Sequence, residues 1–138
     1  YVNNIEQGPS TFVTANGAKE EYTFVNGIKV GPSTFFASPK GEFAGDREER
    51  TYVNGIMEGP ATYFFANGAR EEYTYVNGIR EGPATFFSSP KGEFRGDREE
   101  RTYVNGILQG PATYIFDTGD RLKYNYVNGI RESEWSNE

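Results

Sequence analysis

The chain of 138 residues contains no cysteine and no histidine. The missing cysteine excludes a disulfide framework and a thiol nucleophile, and the two absences together exclude the usual zinc and haem sites and every Ser/His/Asp or Cys/His arrangement. Long hydrophobic runs are missing too. Gly or Pro interrupts each apolar stretch before it reaches helical length, so neither a bilayer-spanning segment nor an amphipathic helix is expected. Positive charge is scarce: 14 Lys and Arg against 20 Asp and Glu leave a formal net charge of −6. A surface of that sign lacks the basic patch that anionic lipid or a phosphate backbone attracts. No nucleic-acid partner is therefore expected, and membrane or lipid binding is disfavoured. The Gly-rich turns also lack the Lys-Ser/Thr step that follows a phosphate-binding loop, so no cofactor is expected either.

What the chain has in abundance is repetition. Near-copies of one phrase open at Tyr1, Phe24, Tyr52, Tyr75, Tyr103 and Tyr126, spaced alternately 23 and 28 residues apart. Residues 1–138 therefore read as a single repeat domain with units 1–23, 24–51, 52–74, 75–102 and 103–125 and a partial unit 126–138. Short and long units share their first halves. They diverge after the apolar run, where Ala66-Asn67-Gly68-Ala69 of one corresponds to Ser89-Pro90-Lys91-Gly92 and an added stretch through Arg101 of the other. The first residue, Tyr1, stands inside a unit-like phrase, as in a fragment or a processed form.

Short runs of Thr, Tyr, Phe, Val and Ile between turn residues select strands over helices. Asn-Gly recurs at 16–17, 26–27, 54–55, 67–68, 77–78, 105–106 and 128–129. Adjacent Asn and Gly adopt positive φ at little cost, so these pairs predict tight reversals between antiparallel strands. Pro9, Pro32, Pro60, Pro83 and Pro111 each follow a Gly at the start of a strand, where a missing amide costs least. About eleven strands spaced roughly 4.8 Å apart would make a ribbon about 50 Å long. Because side chains alternate in direction, Phe35-Phe36, Phe64-Phe65 and Phe86-Phe87 put aromatics on both faces. The columns Phe12, Phe35, Phe64, Phe86, Tyr114 and Val13, Phe36, Phe65, Phe87, Ile115 are the two candidates for the core.

The phrase from Tyr103 to Tyr114, YVNGILQGPATY, followed by Asp117-Thr118-Gly119-Asp120-Arg121-Leu122, resembles a MORN (membrane occupation and recognition nexus) repeat. The resemblance covers essentially residues 1–135. It implies an all-β fold: tandem β-hairpins laid side by side into an elongated, twisted, single-layer antiparallel sheet. It also implies scaffolding and protein–protein contact, as in cilia, junctional complexes and accessory regions of enzymes. The expected location is accordingly cytoplasmic, in association with the cytoskeleton or a cilium.

The expected function is a non-catalytic interaction scaffold; the alternatives are a module that joins end to end with its own copies and, after that, a lipid-associating domain. Adjacent carboxylates such as Glu48-Glu49 and Glu71-Glu72 point to opposite faces of a strand and so cannot pair across a substrate. The candidate partner-binding residues are Tyr22, Phe24, Tyr52, Tyr73, Tyr75, Tyr103 and Trp135, because exposed Tyr and Trp combine a rigid apolar body with a polar tip. The mixed-charge segments 46–50 and 97–101 are expected to face solvent at the ends of the longer hairpins.

Overall fold

The computed structural model describes residues 7–132. The first hairpin consists of β1 (Gly8–Val13) and β2 (Lys19–Val25), followed by the two-residue β3 (Ile28–Lys29). The pattern repeats as β4 (Gly31–Phe36), β5 (Arg47–Val53) and β6 (Ile56–Met57), then β7 (Gly59–Phe64), β8 (Arg70–Val76) and β9 (Ile79–Arg80). It continues with β10 (Gly82–Phe87), β11 (Arg98–Val104) and β12 (Ile107–Leu108), and ends with β13 (Gly110–Ile115), β14 (Arg121–Val127) and β15 (Ile130–Arg131). All fifteen strands lie in one antiparallel sheet in hairpin order, and no helix occurs among the described residues.

Each unit reverses twice. At one edge, Val25 pairs with Ile28, and Asn26 and Gly27 sit between them at φ +53° and +79°. Positive φ at both central residues is the two-residue hairpin turn whose twist matches that of the strands, and Asn-Gly is the pair that adopts it most cheaply. The same turn recurs at Asn54, Asn77, Asn105 and Asn128. At the opposite edge the connections alternate: residues 14–18, 65–69 and 116–120 form short loops, and residues 37–46 and 88–97 form long ones. The inserted residues of the long unit thus lie wholly in this loop, ahead of the charged stretch.

After each Asn-Gly turn the chain re-enters the sheet through a bulge. Glu21 pairs with Thr34 and Phe24 with Lys29, so two residues of β2 face the four residues 30–33. Gly31 sits there at φ +81°, and a Cβ on it would meet no atom within 4 Å. The glycine is therefore demanded by its backbone angle and not by crowding.

The two faces of the sheet differ sharply. Residues with the parity of Glu71, Tyr73 and Tyr75 are buried, whereas Glu72 and Val76 between and beyond them are exposed. The core cluster is Ala61, Tyr73, Tyr75, Ala84 and Tyr103, with Met57, Tyr63 and Leu108 packed against it. A small residue lies opposite each large one: Ala61 opposite Tyr73, Ala84 opposite Arg101, Ala112 opposite Tyr124. The register corrects one expected column. Tyr63, not Phe64, faces Glu71 as Phe86 faces Glu99, so the inner column runs through Tyr63, and Phe64 belongs to the outer face.

Candidate functional site: the two faces of the sheet

Three rows of side chains build the inner face. Glu20, Glu48, Glu71 and Glu99 form the first, all of them buried. Two residues along each strand comes an alternating row, Tyr22, Arg50, Tyr73, Arg101 and Tyr124; after two more, the row Phe24, Tyr52, Tyr75, Tyr103 and Tyr126. The short strands add Lys29, Met57, Arg80, Leu108 and Arg131, each paired with a member of the third row. Where the second row holds Tyr, the short strand supplies a cation that lies over that ring: Lys29 over Tyr22, Arg80 over Tyr73, Arg131 over Tyr124. Where the second row holds Arg, the short strand supplies Met57 or Leu108. Lys29, Arg50, Arg80 and Arg101 thus each bring a cation to the carboxylate row from one of two positions.

The carboxylates are the hubs of this network. Glu20 accepts hydrogen bonds from Tyr52 (2.6 Å), Arg50 (2.6 Å), Lys29 (3.0 Å) and Ser33 (3.1 Å). Glu48 accepts from Tyr75 (2.6 Å), from Arg50 (2.5 Å) and from Tyr73. Arg101 bridges Glu71 (2.7 Å) and Glu99 (2.5 Å), and Tyr103 donates to Glu71 at 2.8 Å. Tyr124 and Tyr126 both donate to Glu99. Burial alone would push the Glu20 carboxyl up; the bonds from Tyr52, Arg50 and Lys29 outweigh it and hold it at about 2. Burial and the carboxylate acceptors push the phenols the other way, with Tyr63 (beside Asp46) and Tyr126 (beside Glu99) at about 12. Glu20, Tyr63 and Tyr126 therefore keep one protonation state across neutral pH.

Two expectations are corrected here. Tyr52, Tyr73, Tyr75 and Tyr103 do line one face together with Tyr22 and Phe24, but that face is the core: the four tyrosines are 4–9% exposed, and Tyr22 and Phe24 are half-buried. A thin single sheet has to bury its aromatic row somewhere, and the carboxylate row satisfies the phenol tips. Trp135 lies outside the described residues. The segments 46–50 and 97–101 are likewise not solvent-facing throughout. Asp46, Glu48, Asp97 and Glu99 are buried, and only Glu49 and Glu100 are exposed. Asp46 accepts hydrogen bonds from Tyr63 and the amide of Ala66, each at 2.8 Å; Asp97 does the same with Tyr114 and Asp117. These aspartates clip a long loop to the next short loop, and Ser38 and Ser89 clip each long loop to the carbonyl of Asn16 or Asn67 before it.

The outer face carries the accessible relief. Pro32, Thr34, Glu49, Thr51, Pro60 and Thr62 line an open groove of about 320 Å³. Its counterparts run between Pro9 and Pro32 and between Pro83 and Pro111, at about 320 and 400 Å³. Missing amides at Pro and the bulge beside it leave the depression, and Thr hydroxyls offer donors and acceptors on its floor. The flanking carboxylates are only loosely paired, as in Arg47 to Glu49 at 3.4 Å with both side chains about half exposed. Among the described residues no three carboxylates converge closely enough to hold a metal ion.

A family model described as MORN repeat matches residues 51–70 and 102–121, two stretches at equivalent positions one pair of units apart. The tandem β-hairpins of the described residues are consistent with MORN repeats. No curated protein matches it. MORN repeats are generally modules of protein or membrane interaction. Among the described residues no helix is long and apolar enough to cross a membrane, a statement that says nothing of crossing by strands. Both matched segments span the Gly-Pro bulge, a six-residue strand and a short loop, the parts of a MORN unit that fix its backbone. The grooves between Pro columns were missed in the sequence. Their only signal was the regular return of Pro-x-Thr, which reads equally as strand punctuation.

Proposed function

We propose that this array is a non-catalytic interaction scaffold that presents its outer, grooved face to a protein partner. The observation that carries the reading is the recurrence of the same Pro and Thr groove along the face opposite the aromatic core. A groove repeated at the period of the array suits a partner segment that lies along several units, because each unit adds a modest contact and the sum sets affinity. The acidic composition argues against anionic lipid and nucleic acid as ligands.

The test is affinity capture with the intact chain and with a triple variant, Thr51→Lys, Thr74→Lys and Thr102→Lys, all on the outer face. The reading expects proteins captured by the parent and lost by the variant, with melting temperature nearly unchanged. Equal capture by both, or enrichment of phosphoinositide vesicles at physiological salt in place of proteins, overturns it.

A further inference from the structure

The strand register lays one straight polar row across the outer face. Glu21 pairs with Thr34, Thr34 with Glu49, Glu49 with Thr62 and Thr62 with Glu72, and the alternation continues through Glu100 to Lys123. Carboxylate and hydroxyl thus alternate from strand to strand at about 4.8 Å, and a carboxylate recurs once per hairpin, at about 9.6 Å. Each groove opens on this row, and the one outer-face charge in its lining is a carboxylate: Glu21, Glu49 or Glu100. These carboxylates are free to take a further partner. Glu21, Glu49, Glu72 and Glu100 have side chains 50–53% exposed, and their neighbouring cations stand 3.2–3.5 Å away. Three of those cations, Lys19, Arg47 and Arg70, lie over the rings of Phe36, Phe64 and Phe87 at 4.7, 4.1 and 4.0 Å, on the side away from the grooves.

We infer that this row takes a partner segment in the polyproline II conformation with Lys or Arg at every third residue. The inference rests on the outer face being the binding face and names the chemistry of what lies on it. Period decides among conformations. Three residues of polyproline II make one turn and advance about 9.3 Å, so every third side chain faces the sheet once per hairpin. Over the three intervals from Glu21 to Glu100 the mismatch sums to only about 1 Å. Two turns of α-helix advance about 10.5 Å and overshoot by about 3 Å over the same span; a β-strand returns to one face every ~6.6 Å and meets successive carboxylates out of step. Twist favours the same choice. Adjacent strands turn by about 20–25°, a path that a straight helix leaves, whereas polyproline II has no internal hydrogen bonds to break when it bends. Its carbonyls are free for the same reason, and the Thr between each pair of carboxylates supplies a hydroxyl donor once per turn. The pyrrolidine rings of such a segment meet those of Pro32, Pro60 and Pro83 along the grooves. Lys123 ends the carboxylate row, so four basic residues are matched and a fifth is repelled.

Fluorescence anisotropy of the intact chain with labelled peptides, at about 0.15 M salt so that unspecific attraction is screened, tests it. The probe is a peptide of four Lys-Pro-Pro triplets. Its controls are the same residues shuffled so that the Lys spacing alternates between two and four, four Glu-Pro-Pro triplets, and four Lys-Gly-Ser triplets, which keep the charge spacing without the conformation. The expected result is that the probe binds at least tenfold tighter than every control. The variant Glu49→Gln, Glu72→Gln and Glu100→Gln is expected to weaken that binding at least tenfold while melting within a few degrees of the parent. No measurable binding of the probe, a shuffled or Lys-Gly-Ser peptide that binds as tightly, or a variant that binds like the parent overturns the proposal. Protein capture tells its failure from that of the binding face itself. A failed probe beside capture that Thr51→Lys, Thr74→Lys and Thr102→Lys abolish overturns this inference alone; capture that survives those changes overturns the reading of the face and this inference with it.

Discussion

Glu48 and Glu49 are neighbours in sequence with opposite surroundings. The first accepts hydrogen bonds from two phenols and a guanidinium on the core face; the second is exposed beside Arg47. Replacing Glu48 by Ala leaves Arg50 with Glu20 as its only carboxylate partner, takes the acceptor from two buried tyrosine hydroxyls and is expected to cost about 3–5 kcal/mol, whereas Glu49→Ala stays within about 0.5 kcal/mol. Denaturant titration of the two variants measures the contrast. The same network sets the pH limits. Glu20, lowered from 4.5 to about 2, contributes stability that is fully present above pH 4.5 and is lost as pH falls towards 2. Tyr63 and Tyr126, raised from 10.0 to about 12, contribute stability that is present below pH 10 and is lost as pH rises through 12. Melting temperature should therefore form a broad plateau between these limits, with phenolate absorbance at the alkaline side appearing together with unfolding.

At the scale of elements, much of the hairpin could be read in advance and the sidedness could not. Asn-Gly between Val and Ile specified the two-residue turns, whereas Asn16-Gly17 and Asn67-Gly68 lie in the five-residue loops with only the Gly at positive φ; Gly-Pro specified the re-entry of the chain, because it needs a backbone angle that few residues adopt. The choice of core face depended on what the tyrosine hydroxyls meet. Arg98-Glu99-Glu100-Arg101 looks like a solvated charge run, yet period-two alternation turns every second member inward; the signal was Glu99 two residues before a cation and four before Tyr103. The bulge glycines give a direct test. Gly82 sits at φ +88° with open space around it, so Gly82→Ala is expected to cost about 1–2 kcal/mol from backbone strain alone, while Gly92→Ala, whose φ lies outside the positive region, costs at most about 0.5 kcal/mol. The alternating cation predicts compensation: Arg101→Tyr and Leu108→Arg should each destabilise singly, and the double variant, which rebuilds the Tyr73 and Arg80 arrangement in the next unit, should recover at least half of the summed loss in a double-mutant cycle.

The whole molecule is a one-dimensional lattice. Contacts run from each unit to the next through the sheet, through the turn amides and through the loop clips, so its length follows from the number of units and its two faces keep their character from end to end. Scattering should report an elongated particle whose radius of gyration exceeds the ~15 Å expected of a globule of this length. The central claim is that the tyrosine rows are the core and the opposite face is free to bind. The most direct measurement compares two triple variants displaced by one residue: Tyr52→Ser, Tyr75→Ser and Tyr103→Ser against Thr51→Ser, Thr74→Ser and Thr102→Ser. The account predicts that the tyrosine triple abolishes the cooperative thermal transition while the threonine triple melts within about 5 °C of the parent. A tyrosine triple that melts like the parent would contradict it.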